Sequence, residues 1–173
     1  FTEVCTLTLS NQKEEFGISG LPEVDVVRVL NPITEDHTCL RAYLMPSLVR
    51  ILRHNKHRDL PQRIFEIGYV VRDNKTVLRL CAMATASKVP FTDVKSWTES
   101  FLREAGVQYT LEQCDYPTFV PGRGASVVSD GKSIGMFGEM APSVVVGYGI
   151  THPIGFFEID LEPIIAGKKD TLF

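Results

Sequence analysis

The 173-residue sequence predicts an α+β domain in which an antiparallel β-sheet is flanked by helices, and three observations predict it. Apolar residues alternate with polar ones in several short stretches, as in a half-buried strand. Tight-turn signals join successive strands, which is the connection that antiparallel pairs use. Two longer stretches place their apolar residues three and four apart, the period of a helix that buries one face.

Taken in order, Thr2 to Leu9 (TEVCTLTL) reads as an opening strand that buries Cys5, and Ser10 to Glu23 as a polar, glycine-punctuated loop. Val26 to Leu30 (VVRVL) reads as a short strand ended by Asn31-Pro32. Pro46 fits the first turn of a helix, where its missing N–H costs nothing, and Leu48, Ile51, Leu52 and Asn55 share one face of it. Ile64 to Val71 and Thr76 to Ala86 form a strand pair joined across Asp73-Asn74-Lys75. Thr92 and Asp93 cap a second helix, with Val94, Trp97, Phe101, Leu102 and Ala105 facing inward and Gly106 as its stop. Val107 to Gln113 is another strand. Ala125 to Ser129 and Ser133 to Glu139 form a hairpin about Asp130-Gly131, Ala141 to Val146 a short helix, and Ile154 to Leu161 a last strand. The expected content is about seven strands and three helices in a single domain spanning residues 1–173.

A hydrophobic content of 44% is enough for one substantial core. The net charge of −3 gives no global reason to bind nucleic acid or an anionic membrane. Cys5, Cys39, Cys81 and Cys114 have neither CxxC pairing nor histidines at zinc-ligand spacing, so they read as free thiols of a reducing, cytoplasmic compartment. No apolar run approaches the roughly 20 residues that span a bilayer. Because the chain opens on Phe1 and directly on a strand pattern, it is expected to be a piece of a longer polypeptide.

Gly131-Lys132-Ser133 has the ending of a phosphate-binding loop but not its context. The residue five before Gly131 is Ser126 instead of glycine, and Ile134-Gly135-Met136-Phe137-Gly138 has no helical period. The hairpin reading is therefore preferred. Arg50, Arg53, His54, Lys56, His57 and Arg58 form the one concentrated basic region, which suits either a solvated helix face or a nucleic-acid contact. His54 and His57 have a spacing that can share a metal, yet no third ligand accompanies them, and surface histidines are the simpler reading. Glu158 and Asp160 share one face of a strand, as a magnesium or proton site would need and as the wet face of a sheet also would. Arg123, between Gly122 and Gly124, is a ligand-facing cation or part of a turn. One functional alternative is a small-molecule or nucleotide-binding enzyme with a pocket around Arg123, Glu139, Glu158 and Asp160.

Four blocks in order carry a family resemblance: LRAYLMPSL (Leu40 to Leu48), IFEIGYVV (Ile64 to Val71), PGRGAS through IGMFGEMAP (Pro121 to Pro142), and GFFEIDLEP (Gly155 to Pro163). Together they resemble the catalytic-like module of phenylalanine-tRNA ligase β subunits. The resemblance implies a class II aminoacyl-tRNA synthetase-like sheet and an α subunit as partner, in a heterotetramer that attaches phenylalanine to tRNA(Phe). It also implies structural or subunit-interface roles for Arg41, Pro46, Glu66, Gly68, Arg123, Gly138 and Glu139. Apart from the resemblance, the basic region offers a third possibility, direct tRNA binding through Arg50, Arg53, Lys56 and Arg58. ATP and magnesium would serve the whole enzyme, with no cofactor, metal or catalytic residue in this domain. The strands matching the phosphate-binding motifs of catalytic relatives carry Glu66 and Glu158-Ile159-Asp160-Leu161-Glu162 where arginines are required, with Arg72 just past the first. One departure from the family pattern is Ala141-Pro142, where a histidine often precedes the proline.

Overall fold

The computed structural model describes residues 1–169. Seven strands form one sheet in the order β1 (Thr2–Glu3), β4 (Gln62–Arg72), β5 (Lys75–Thr85), β9 (Ile154–Asp160), β8 (Lys132–Met140), β7 (Phe119–Ser129), β6 (Thr110–Gln113). A small second sheet pairs β2 (Leu9–Ser10) with β3 (Cys39–Leu40). The helices are α1 (Met45–His54), α2 (Phe91–Glu104), α3 (Pro142–Gly147) and α4 (Glu162–Lys169). The expected α+β class holds, but the main sheet is mixed: β1 runs parallel to β4, and every other neighbouring pair is antiparallel.

Both hairpins form where turn chemistry placed them. Asp73 and Asn74 have φ of 51° and 58°, and Asp130 and Gly131 have φ of 50° and 72°, the left-handed pair that matches the twist of two-residue hairpins. The sheet separates two cores. On one face, α1, α3 and residues 10–21 cover Cys81, Met83, Met136 and Phe156. On the other, α2 places Val94 and Leu102 over Leu80, Phe137, Phe157 and Ile159. Successive residues of β9 therefore serve opposite cores, as the two-residue period of a strand requires. That is why IGFFEID is apolar almost throughout.

Four expectations change. The opening strand is two strands in different sheets, because only Thr2 and Glu3 pair with Ile64 and Phe65 before the chain turns away to β3; Cys5 is consequently exposed. Val26 to Leu30 is not a strand and makes an isolated bridge between Arg28 and Cys39, with Asn31 at φ 57° turning the chain out. The polar loop contains a π-helical stretch, Lys13–Ile18, that buries Glu14 and Glu15. Helix α2 begins at Phe91 after Pro90, so neither Thr92 nor Asp93 caps it; Asp93 sits in its first turn, where a negative charge still suits the helix dipole. Helix α4 was not expected from the sequence.

The glycines of the Pro121 to Pro142 block have a packing reason. Gly124 faces Gly138 across β7 and β8, and the Phe119 ring lies against both. That ring stacks on Phe156 of β9, with centroids 5.3 Å apart. A Cβ on Gly138 would stand 2.4 Å from the Arg123 carbonyl oxygen and 2.7 Å from the Phe119 ring. Gly138→Ala should therefore lose about 1–3 kcal/mol in urea denaturation through overpacking. Gly17→Ala, with nothing within 4 Å of its Cβ, should change little; equal effects would remove the packing reason for Gly138.

Candidate functional site: a buried charge cluster at the start of helix α1

Helix α1 begins without a local cap: its N-cap residue is Leu44, whose side chain makes no capping hydrogen bond, and Pro46 occupies the first turn. The backbone donors leading into it still need partners, since an unpaired buried N–H is costly. Two buried carboxylates from distant segments supply them. Glu15 Oε2 accepts from the N–H groups of Ala42 (3.0 Å) and Tyr43 (3.1 Å). Glu158 accepts from Leu44 (3.0 Å) and Met45 (2.9 Å). Four consecutive donors are thus satisfied, up to Pro46, which has none. A negative charge at a helix N-terminus also meets the positive end of the helix dipole.

Glu158 is fully buried and needs a cation. Arg79 on neighbouring β5 donates to it at 2.8 Å and also pairs with Asp160, which Arg72 reaches at 3.2 Å. The guanidinium carbons of Arg72 and Arg79 lie 5.7 and 5.5 Å from the centre of the Tyr43 ring, whose hydroxyl donates to the Pro22 carbonyl. Beside this group, Arg41 pairs with Glu66 at 2.9 Å and donates to the Tyr69 carbonyl, and Thr6 donates to Glu66 at 2.6 Å. Gly68 makes room for that pair: a Cβ there would stand 2.5 Å from Arg41 Nη2.

Electrostatics follow from burial and pairing. Burial raises the Glu15 carboxyl to about 7, against the opposing effect of the Ala42 and Tyr43 donors. Burial alone would lower the Arg79 guanidinium, but Glu158 and Asp160 more than offset it, so Arg79 stays charged. Burial, then the charges of Glu158 and Glu66, push the Cys81 thiol well up and leave it a poor nucleophile. Every carboxylate in the cluster is engaged by an internal donor, an arrangement suited to holding elements together.

The sequence-derived candidates divide among three places. Arg41, Pro46, Glu66 and Gly68 come together in this cluster. Arg123 pairs with Glu139 at 2.6 Å, next to Gly138 on the end of the β7–β8 ladder. Glu139 stands opposite Gly155, on the face of the sheet that carries Phe157, whereas Glu158 and Asp160 point to the other face. Arg123, Glu139, Glu158 and Asp160 therefore do not line one pocket. The wet-face reading of Glu158 and Asp160 is also overturned, because α1 and the two arginines cover them. Arg50 is held by Glu14, and Arg53 lies 3.8 Å from the same carboxylate. Lys56, His57 and Arg58 are exposed just beyond the helix end, with Arg58 donating to Asn55. Glu15, Tyr43 and Arg79 were missed. The available signals were a helix with no local cap and an arginine embedded in the apolar run TVLRLCAMATA.

The Glu15 carboxyl has an ordinary value of 4.5 and a folded value of about 7, so the folded state binds the extra proton between these pH values. Its stabilising contribution is complete below about pH 4.5 and is lost as pH rises through about 7. Compared with Glu15→Gln, the native chain should lose on the order of 3 kcal/mol of stability across that window. Parallel stability–pH curves for the two proteins would rule this out.

A family model described as "Phenylalanyl tRNA synthetase beta chain CLM domain" matches residues 1–161. Among curated relatives, the phenylalanine–tRNA ligase β subunit of Archaeoglobus fulgidus is 41% identical over 164 residues, covering 93% of this chain and 30% of that protein. The β subunit of Thermococcus sibiricus is 37% identical over 173 residues, with 96% and 31% covered, and that of Methanococcoides burtonii is 38% identical over 162, with 93% and 30% covered. The chain thus spans about 30% of the length of these relatives. The matched region contains the whole charge cluster and all four sequence blocks except the last two residues of the final one, and the chain belongs to the phenylalanyl-tRNA synthetase β-chain CLM domain family.

Proposed function

We propose that this chain is a noncatalytic, class II synthetase-like domain of a phenylalanine-tRNA ligase β subunit. It supports the α subunit and assembly of a heterotetramer that attaches phenylalanine to tRNA(Phe) in the cytoplasm, with ATP and magnesium handled elsewhere in the enzyme. The observation that carries this reading is the internal pairing of the cluster. Arg79 is tied to Glu158 and Asp160, Arg72 to Asp160, and Arg41 to Glu66. Glu158 also occupies the start of α1, where an exposed helix end would favour an anion. Adenylation needs cations that follow the developing phosphate charge, and removing one such group commonly costs about a hundredfold or more in rate; here each of these arginines gives part of its donor set to an internal carboxylate that fixes and partly neutralises it. Arg41, Pro46 and Glu66, which are buried, and Gly68 beside them are offered as structural residues at the start of α1, while Arg123, Gly138 and Glu139 at the β7–β8 end are offered as structural or α-subunit-facing.

Purified α subunit should co-elute with this chain in size-exclusion chromatography. The chain alone should give no phenylalanine-dependent ATP–pyrophosphate exchange, whereas the assembled enzyme should. Absence of a complex refutes the assembly role, and exchange by the chain alone refutes the noncatalytic one.

A second role, direct contact with tRNA, rests on the exposed cations just past α1. Lys56 and Arg58 project from this end, with Arg53 partly exposed beside them; Arg50 is already engaged by Glu14 and would contribute least. In the assembled enzyme, Lys56→Ala with Arg58→Ala should weaken tRNA binding and reduce the slope of log affinity against log salt by about two. An unchanged slope and affinity would exclude the contact.

A further inference from the structure

Beside the charge cluster lies a cavity of about 160 Å³ whose lining includes Tyr43, Arg72, Arg79, Tyr116, Ser126 and Ser133. Two arginines, two tyrosines and two serines line it, and no carboxylate is among the lining residues. The acids that balance Arg72 and Arg79 lie outside this lining. Asp160 takes one Arg72 nitrogen and Arg79 Nε, and Glu158 takes Arg79 Nη1. Arg79 Nη2 and the other Arg72 donors have no protein partner among the described residues.

The arginines are also positioned. The Tyr43 ring supports both guanidinium planes, an arrangement favoured by cation–π attraction, and its bond to Pro22 fixes the ring. The Arg79 side chain is only 3% exposed, so its donors are preorganised and poorly served by water. The Arg72 side chain, 22% exposed, is the more accessible of the two.

We propose that this cavity is a binding site for a small oxyanion, a phosphate or a carboxylate, held by Arg72 and Arg79 with Ser126 and Ser133. Planar guanidinium groups pair with such oxygens in a forked geometry, and serine hydroxyls complete the shell. The volume lies below the roughly 300 Å³ at which pockets for drug-sized molecules begin, so the ligand is an ion or a short charged group and not a whole nucleotide. The site uses the donors that Arg72 and Arg79 keep beyond the ion pairs on which the proposed function rests; anion binding without pyrophosphate exchange by the chain alone supports the site and leaves that reading intact.

Isothermal titration of the chain with inorganic phosphate, pyrophosphate and acetate tests the site, with ionic strength held constant by sodium chloride. At least one of the three should bind saturably at one site per chain; acetate as the tighter ligand would identify a carboxylate, and phosphate or pyrophosphate a phosphoryl group. Arg72→Gln should weaken binding by about tenfold or more, since it removes a charge-assisted donor. Ser133→Ala, which leaves the ion pairs in place, should weaken it a few-fold. Arg103→Gln, an exposed arginine on α2, should leave it unchanged. Heats that do not saturate with any of the three, or affinities unaltered in both cavity variants, would overturn the proposal.

Discussion

The structure depends on one interaction: the four consecutive N–H groups of Ala42 to Met45 are held by the carboxylates of Glu15 and Glu158. Neither acid is local to the helix, and Glu158 lies 113 and 114 residues from its partners. The contact therefore fixes where α1 sits on the sheet, which β9 must lie beneath it, and where the π-helical stretch packs. The rest of the cluster follows from the requirement to neutralise Glu158. Arg79 must lie beside it on β5, Asp160 balances Arg79, and Tyr43, itself one of these N–H donors, is placed under Arg72 and Arg79.

The cluster draws its members from separate sequence blocks. LRAYLMPSL contributes the donors, Arg41 and Pro46; IFEIGYVV contributes Glu66 and the gap at Gly68; GFFEIDLEP contributes Glu158 and Asp160. The glycine-rich hairpin joins by a different route, through the Phe119 ring, which packs on Gly124 and Gly138 and stacks on Phe156. Phe156 and Glu158 are two apart on β9 and so share a face. The hairpin contact and the charge cluster are adjacent parts of one surface.

What was legible in the sequence was what is decided locally. The period of α1 and α2, and the left-handed turns at Asp73-Asn74 and Asp130-Gly131, depend on neighbouring residues alone. The exposed cations of Lys56 and Arg58 were legible for the same reason. What was hidden depends on partners far along the chain. Glu14 and Glu15 look like a solvated loop until Arg50 and the Ala42 and Tyr43 donors are placed beside them. Glu158 and Asp160 alternate with apolar residues as wet-face acids do, and the alternation persists because the second face is also a core. Val26 to Leu30 has strand composition, but a single bridge to β3 is all the ladder it finds.

Stability alone does not account for such a cluster. Replacing buried ion pairs by well-packed apolar residues is often neutral or stabilising, whereas removing a single partner commonly costs about 3–5 kcal/mol. What charges add over apolar contacts is direction. A leucine in place of Glu158 would bury as well against α1, but it would accept no hydrogen bond and would tolerate a rotated or shifted helix. Glu158 accepts from Leu44 and Met45 and from Arg79 at once, and these bonds are met in one register. The same requirement holds Arg79 over the Tyr43 ring, with Nε and Nη1 on the acids and Nη2 without a protein partner among the described residues. A cluster that positions α1 therefore also holds a positive group at a small opening in the sheet face.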